Sequence, residues 1–228
     1  MSDFGILLST GSGNPFITPA SIPMSMYGKY TVNSSSNGGN GQAAAMSIPW
    51  NDEWPAMVFV KSTQPGAVLG SYKAAGRVGF SGSTVNSAPF TVTAYVFGIF
   101  PQTPPQWGLC VWDDKGEVIL TNETRVLTDL VTVGTVGVNG QSGVTMDITL
   151  AGSYAVCPKI HGSTLFQNLN SGTGQPIIVN VTAYTSAAFD GSSTRFTAAL
   201  TQYPGGNPVG NTDTMCDLVA INTAAYDN

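Results

Sequence analysis

Residues Phe4-Gly5-Ile6-Leu7-Leu8-Ser9-Thr10-Gly11-Ser12-Gly13-Asn14-Pro15-Phe16-Ile17-Thr18 align without a gap with Trp107-Gly108-Leu109-Cys110-Val111-Trp112-Asp113-Asp114-Lys115-Gly116-Glu117-Val118-Ile119-Leu120-Thr121. Both stretches open on an aromatic residue, have glycine at their second and tenth positions, and end in threonine. Each contains an apolar run, a polar turn and a second apolar run, which is typical of a β-hairpin. One hairpin design used twice, at an offset of 103 residues, predicts two copies of a small β domain.

Further correspondences between the two halves are shorter. The string Val-Thr-Ala-Tyr occurs at Val92–Tyr95 and again at Val181–Tyr184, at an offset of 89. If both alignments hold, the second copy has shorter loops, which chains tolerate easily. Weaker matches join residues 46–48 to 144–150 and residues 55–58 to 154–158. Chance similarity between β-rich segments is the alternative to duplication.

The fold class follows from short apolar runs punctuated by 27 glycines and 14 prolines. Because no segment has a sustained period of 3.6 residues, we expect little helix. The sequence predicts an all-β protein of two tandem antiparallel β-sandwich domains. The clearest strand predictions are Tyr27–Val32, Ala43–Ile48, Met57–Val60, Arg77–Phe80, Phe90–Phe97, Val126–Val138, Val144–Leu150 and Ile177–Tyr184.

A proline-rich stretch separates the predicted copies. Three prolines fall within five residues at Pro101, Pro104 and Pro105. Proline favours an extended connector and donates no hydrogen bond to a sheet. We therefore expect a first sandwich domain over residues 1–100, a linker over 101–106 and a second sandwich domain over 107–228.

Composition excludes several functional classes. Charged residues are only 9% of the 228, the net charge is −5, and the eight Lys and Arg residues are scattered. Nucleic-acid binding needs clustered cations, so we expect none. No run approaches the length of a membrane-spanning helix, and the first residues do not resemble a secretory signal. A surface of neutral polar groups suits packed assemblies, because few charges must be desolvated at each contact.

The few residues capable of catalysis or metal binding do not form a recognisable site. Cys110, Cys157 and Cys216 are predicted to be free thiols in a chain made in a reducing cytoplasm, with a Cys110–Cys157 bridge as the alternative. His161 is the single histidine, and Pro158 and Gly162 around it predict a loop. Triads and most transition-metal sites need histidine. We therefore predict no catalytic residue, no metal site and no cofactor.

One aromatic and acidic segment stands out, Pro49-Trp50-Asn51-Asp52-Glu53-Trp54-Pro55. We favour a rigid aromatic loop at a domain or subunit contact. In the alternative, Trp50, Asp52, Glu53 and Trp54 bind a ligand, since indole rings stack on sugars and carboxylates accept sugar hydroxyls. Adjacent carboxylates do not give the facing pair that glycoside hydrolysis requires, so catalysis is disfavoured.

The acidic segment Asp113–Glu117 is the remaining candidate. It lacks the alternating acidic ligands and the distal glutamate of a calcium-binding loop. Asp and Gly tolerate the positive φ of a tight hairpin, so the segment predicts a turn.

The two hairpin openings, Phe-Gly-Ile-Leu-Leu and Trp-Gly-Leu-Cys-Val with the turn and apolar pair that follow each, resemble the start of small tail proteins of long-tailed bacteriophages. Those proteins are encoded near the tail tip and fibre genes. The likeness covers about twenty residues of each half, and the doubling departs from single-copy relatives. It implies a structural role at the tail tip, fibre or collar, and it brings no catalytic residues.

The sequence therefore predicts a non-enzymatic virion structural protein of a phage tail. Its expected partners are further copies of itself, in a symmetric oligomer, and other tail proteins. One alternative is a carbohydrate- or receptor-binding module for host adsorption, with Trp50, Trp54, Trp107 and Trp112 as candidate contacts. Another is a head decoration protein.

Overall fold

A computed structural model describes residues 8–9, 15–17, 22–38, 41–169 and 173–227. The described chain is all-β, which confirms the predicted class, and its only helical segments are two single 3₁₀ turns, Gly143–Thr145 and Thr223–Ala225. The described strands of the first half are β1 Leu8–Ser9, β2 Pro15–Ile17, β3 Ser25–Asn33, β4 Ser35–Ser36, β5 Gln42–Pro49, β6 Ala56–Ser62, β7 Val68–Ala74, β8 Arg77–Thr84 and β9 Thr91–Gly98.

The described strands of the second half follow the proline-rich stretch, which itself contains no strand. They are β10 Cys110–Trp112, β11 Val118–Thr121, β12 Leu130–Val133, β13 Asp147–Ala151, β14 Tyr154–Val156, β15 Ile160–Leu169, β16 Pro176–Phe189, β17 Ser193–Leu200, β18 Asn207–Asp213 and β19 Leu218–Asn222.

The repeated stretch forms two antiparallel hairpins, β1–β2 and β10–β11, as predicted. Their registers agree residue by residue. Leu8 lies opposite Ile17 and Ser9 opposite Pro15; at the same offset, Val111 lies opposite Leu120 and Trp112 opposite Val118. A register shift falls between the first and second of these pairs in both hairpins. The two stretches therefore share backbone geometry as well as letters.

The longer strands of the two halves have the same order. In the first half β3-β9-β6 form one sheet and β5-β8-β7 another. In the second half the corresponding sets are β12-β19-β14 and β13-β17-β16. Six strands remain in each half when the hairpin, the two-residue β4 beside β5, and β15 and β18 are left out, and both sets follow the order first-sixth-third and second-fifth-fourth. β15 and β18 are additions to the second half, and β15 pairs with β16 on one edge and β18 on the other.

The halves meet along their third strands. Val60 of β6 lies opposite Val156 of β14, and Ser62 of β6 opposite Ala188 of β16. These pairings place strands from both halves in one eleven-stranded sheet. The all-β class is thus established, whereas a division into two separate tandem domains is not confirmed.

Two hydrophobic cores lie on opposite faces of this sheet. Successive residues alternate between them, as in any pleated strand: Val58 and Val60 face the larger core, while Met57 and Phe59 face the smaller. The smaller core draws on both halves, with Phe59, Tyr95, Phe97, Ala155, Ile221 and Tyr226 as its buried members. Strands buried on both faces explain why the sequence shows apolar runs with only partial alternation.

The end of the chain folds back over the smaller core. Tyr226 packs edge-on against Phe97, with ring centroids 5.1 Å apart. Asp227 accepts a hydrogen bond from the buried Tyr95 hydroxyl and pairs with Lys29 at 2.7 Å and Lys61 at 3.5 Å. This C-terminal clasp, residues 223–227, ties the last strand of the second half to three strands of the first.

The clasp sets the charge state of its members. Burial raises the pKa of Asp227, but bonds from Lys29, Tyr95 and Thr223 and the charge of Lys61 outweigh it, and the pKa falls to about 2. Burial lowers the pKa of Lys61, with Asp227 opposing that shift. Burial, followed by the bond to Asp227, raises the pKa of the Tyr95 hydroxyl well above its usual value.

Three sequence predictions need correction. The Val-Thr-Ala-Tyr strings are not equivalent, because β9 lies in the first-sixth-third sheet and its counterpart there is β19, not β16. The predicted strand Val126–Val138 is limited to β12 and one bridge at Val126, since the chain turns at Gly134 and Gly137 with positive φ. In Val144–Leu150, a 3₁₀ turn precedes β13.

His161 is likewise not in a loop: it lies in β15 and is fully buried. Its Nδ1 lies 2.7 Å from the Gly143 carbonyl and its Nε2 3.0 Å from the Thr185 hydroxyl. A carbonyl only accepts, so Nδ1 carries the proton. Burial lowers the pKa of His161, against opposing contributions from Gly143 and Asp213.

We predict that Asp227→Asn lowers the free energy of unfolding by about 1–3 kcal/mol, because it leaves two lysines and a buried hydroxyl without their charged partner. The matched control is Asp147→Asn, which removes the exposed pair with Arg195 and should cost no more than about 1 kcal/mol. Urea unfolding of both variants measures the difference. Equal losses would show that the clasp contributes little.

We also predict that stability declines as the pH falls from 7 to 5. Burial lowers the pKa of His161 in the folded state, whereas the unfolded chain takes up a proton near the ordinary pKa of about 6.5, so acid favours unfolding. In His161→Gln this part of the slope should vanish, even if the variant is less stable at pH 7. Parallel pH profiles for the two proteins would refute the assignment to His161.

Candidate functional site

The segment between β5 and β6 is a rigid turn. Pro49 and Pro55 bracket it, the amide of Trp54 donates to the carbonyl of Asn51 at 3.1 Å, and the amide of Glu53 donates to the Asn51 side chain at 3.0 Å. An asparagine that bonds to its own backbone two residues on is a standard way of holding such a turn. The backbone of residues 51–54 is therefore held by local bonds.

Trp50 is part of the core and not of the surface. It is only 5% exposed, and its indole nitrogen donates to the carbonyl of Trp54 at 3.0 Å. Its ring covers Gly98 so closely that a Cβ there would lie 2.6 Å from it. Trp50 therefore cannot stack on a ligand without being withdrawn from the protein.

Asp52 also makes structural contacts. Its carboxylate accepts the amide of Gly76 at 2.7 Å, in the turn between β7 and β8. The Lys73 ammonium donates to the carbonyls of Asp52 at 2.8 Å and Trp54 at 2.6 Å. These bonds fasten the loop to the neighbouring sheet.

Four rings form an aromatic box, consisting of Tyr27, Trp50, Trp54 and Phe100. Tyr27 lies 4.9 Å from Trp50 and 5.2 Å from Phe100, and Trp54 lies 5.8 Å from Trp50 and 5.7 Å from Phe100 (centroid to centroid). Phe100 begins the proline-rich stretch, so the box anchors the connector where it leaves the first half. Edge-to-face pairs of this kind add about 0.5–1.5 kcal/mol each beyond their buried area.

A groove of about 470 Å³ lies between this loop and the second hairpin. Glu53, Trp54 and Phe100 line one side, and Lys115, Glu117 and Ile119 of the hairpin line the other. The hairpin is held there by a bond of 2.7 Å from the amide of Gln102 to the carbonyl of Val118. Of the four predicted site residues, the structure places Glu53 and Trp54 on the groove and the other two in structural contacts.

The groove combines an indole edge with two carboxylates and an ammonium, groups that bind hydroxylated ligands. Sequence reasoning missed Phe100, Lys115 and Glu117. The hairpin turn is formed as expected: the Asp113 carboxylate accepts the amides of Lys115 at 3.0 Å and Glu117 at 2.8 Å. No feature of the amino-acid sequence indicates that this turn lies across the groove from Trp54.

Other predicted features are dispersed. Trp107 is 82% exposed and Trp112 57% exposed, and neither lines the groove.

All three cysteines are free thiols, and burial raises the pKa of Cys157. Within the described ranges, no three His, Cys, Asp or Glu side chains approach one another closely enough to hold a metal ion. No helix in that same part of the chain is long and apolar enough to cross a membrane.

We predict that Gly98→Ala destabilises the protein by about 1–3 kcal/mol, because the added methyl group meets the Trp50 ring and the Pro55 carbonyl, 2.9 Å away. Gly210→Ala is the matched control, since its Cβ would meet only Leu165 at an ordinary 3.7 Å. Thermal unfolding, with tryptophan fluorescence as the probe, compares the two. A Gly98 variant as stable as the control would mean that the rings of the aromatic box can shift to make room for the methyl group at little cost in free energy.

Comparison of the chain with protein-family models, with curated proteins and with solved structures found no match to any of them.

Proposed function

We propose that this chain is a non-enzymatic structural protein of a bacteriophage tail, a component of the tip, fibre or collar that assembles as a symmetric oligomer in the virion. The hairpin motif that resembles small tail proteins supports this role. Its two occurrences share register and lead into strands of the same order. On this proposal the chain is two tandem hairpin-led β-sandwich units, fused along their third strands.

The observation that carries the assembly role is an exposed apolar arm in the second half. The arm consists of β15, the first part of β16 (residues 176–182) and β18. Leu169 is 72% exposed and Ile178 55% exposed, and Ile177 and Val209 are also exposed. A protein with 9% charged residues that exposes such side chains on three neighbouring strands has a surface suited to burial against a partner.

The edges of the arm support the same conclusion. Among the described strands, residues 176–182 pair only with β15, and β18 pairs only with β15. Edge strands that must stay monomeric are usually protected by charge. The paired part of this arm holds one carboxylate, Asp213 at its base, so further strands can add to it at little electrostatic cost.

The test is the association state of the arm variants. Sedimentation of the purified chain should show a discrete oligomer, and Leu169→Lys with Ile178→Lys should shift it to monomer, because two buried ammonium groups oppose contact. The control is Val136→Lys, at an exposed turn outside the arm. A stable monomer at high concentration, without association with phage particles, would contradict the proposal. Electron microscopy of labelled particles distinguishes tail from head decoration.

A second candidate function is glycan or receptor binding during host adsorption, favoured by the groove beside Trp54. Titration with host-surface glycans should change tryptophan fluorescence. Trp54→Ala should raise the Kd obtained from that titration at least tenfold, which is a loss of about 1.4 kcal/mol of binding free energy. Trp112→Ala, outside the groove, is the control. No response from the unmodified protein would remove this candidate.

A further inference from the structure

The groove beside Trp54 has a charge pattern that the assembly role does not explain. Glu53 lines one side, and Lys115 and Glu117 line the other. None of the four ion pairs found in the described chain uses a charge of the groove. Within that same part of the chain, the hydrogen bonds of these three residues involve their backbone atoms only. No described residue therefore competes with a ligand for their charged groups.

The aspartates on the same two turns differ from the glutamates, because they have structural partners. Asp52 accepts the amide of Gly76 at 2.7 Å, and Asp113 accepts the amide of Glu117 at 2.8 Å. The aspartates hold the turns in place, whereas Glu53 and Glu117 line the groove between the turns. Because both turns are already fixed, a ligand that binds between them loses little free energy to ordering the protein.

The wall and floor of the groove between these charges are aromatic and aliphatic. The rings of Trp54 and Phe100 are inclined at 41° with centroids 5.7 Å apart, and Ile99 and Ile119 add aliphatic surface. An aromatic ring attracts a cation over its face, because its quadrupole is negative there. Rings and carboxylates together favour a ligand that has an apolar surface and carries a positive charge.

The balance of charge favours a cation over an anion. Two carboxylates and one ammonium give the lining of the groove a net charge of −1, and the whole chain has a net charge of −5. The field of the chain therefore attracts a cationic ligand and repels an anionic one. Lys115 opposes a cation locally, so its removal reports the sign of the ligand.

We propose that the groove binds an amino sugar whose nitrogen is not acetylated, with the protonated amine between Glu53 and Glu117 and the sugar ring against Trp54. The inference rests on the second candidate function, glycan binding, and specifies which glycans the site takes. An ammonium group has three donors, enough for both glutamates. Its bonds to carboxylates are about twice as strong as those of a neutral hydroxyl group.

The test compares two tetrasaccharides that differ only at nitrogen, by isothermal titration calorimetry of the full-length chain. One is the β-linked tetramer of glucosamine, in mildly acidic buffer that keeps its amines protonated, and the other is the fully N-acetylated tetramer. The glucosamine tetramer should bind with a Kd about tenfold lower, and added salt should reduce this difference, because salt screens exposed charges.

Two outcomes of the calorimetry would overturn the inference. Equal affinities for the two tetramers would show that the site recognises the sugar ring without its charge, which leaves glycan binding itself intact. Absence of binding by both tetramers would show that the groove is not an amino-sugar site, and the titration with host-surface glycans then decides the second candidate function separately.

Charge variants of the groove locate the binding. Glu53→Gln and Glu117→Gln should each raise the Kd of the glucosamine tetramer about threefold, because each removes one charged acceptor without changing its size. Their effect on the acetylated tetramer should be smaller. Lys115→Gln should lower the Kd of the glucosamine tetramer about twofold, since it removes a like charge. The matched control is Asp114→Asn, which removes an exposed charge of the same turn outside the groove and should leave the Kd unchanged.

The variants also provide outcomes that contradict the inference. Tighter binding of the glucosamine tetramer by either glutamine variant of a glutamate, or weaker binding by Lys115→Gln, would show that the site prefers an anion. Equal effects of Asp114→Asn and Glu117→Gln would show that binding follows the overall charge of the chain and not the groove. Circular dichroism confirms that these exposed substitutions leave the fold intact.

Discussion

The fold depends on burying β6, β9, β14 and β19 on both faces. Each strand sends alternate residues into the larger core and into the smaller core that the two halves share. A strand with two apolar faces cannot be left at a surface, so neither half is complete without the other. The Val60–Val156 pairing and the C-terminal clasp hold the halves where this burial requires them.

The aromatic box has a comparable role at the connector. A proline-rich stretch offers few hydrogen bonds and would otherwise be a free linker. Because Phe100 is held among Tyr27, Trp50 and Trp54, the second hairpin meets the first half in one orientation. The groove beside Trp54 exists only because of that contact, so the candidate ligand site and the joining of the halves have one structural cause.

The strand order that the two halves share suits a component of a larger assembly. The third strands of the two halves pair with each other, and β15 and β18, which have no counterpart in the first half, carry the exposed apolar arm. The strands that correspond between the halves thus join the two halves of one chain. The strands without a counterpart, β15 and β18, present the surface that we assign to contact with partners.

The sequence alone determined the all-β class, the two strand pairs of the hairpins and the turn of the second hairpin, because these depend on local periodicity and on residues suited to tight turns. It misassigned the Val-Thr-Ala-Tyr strings, since buried strands of any position favour the same β-branched and aromatic residues. Only the tertiary structure decided that Trp50 is buried, that Lys115 and Glu117 face Trp54, and that both halves share a core. Those facts depend on contacts between residues far apart in the chain, which local pattern does not encode.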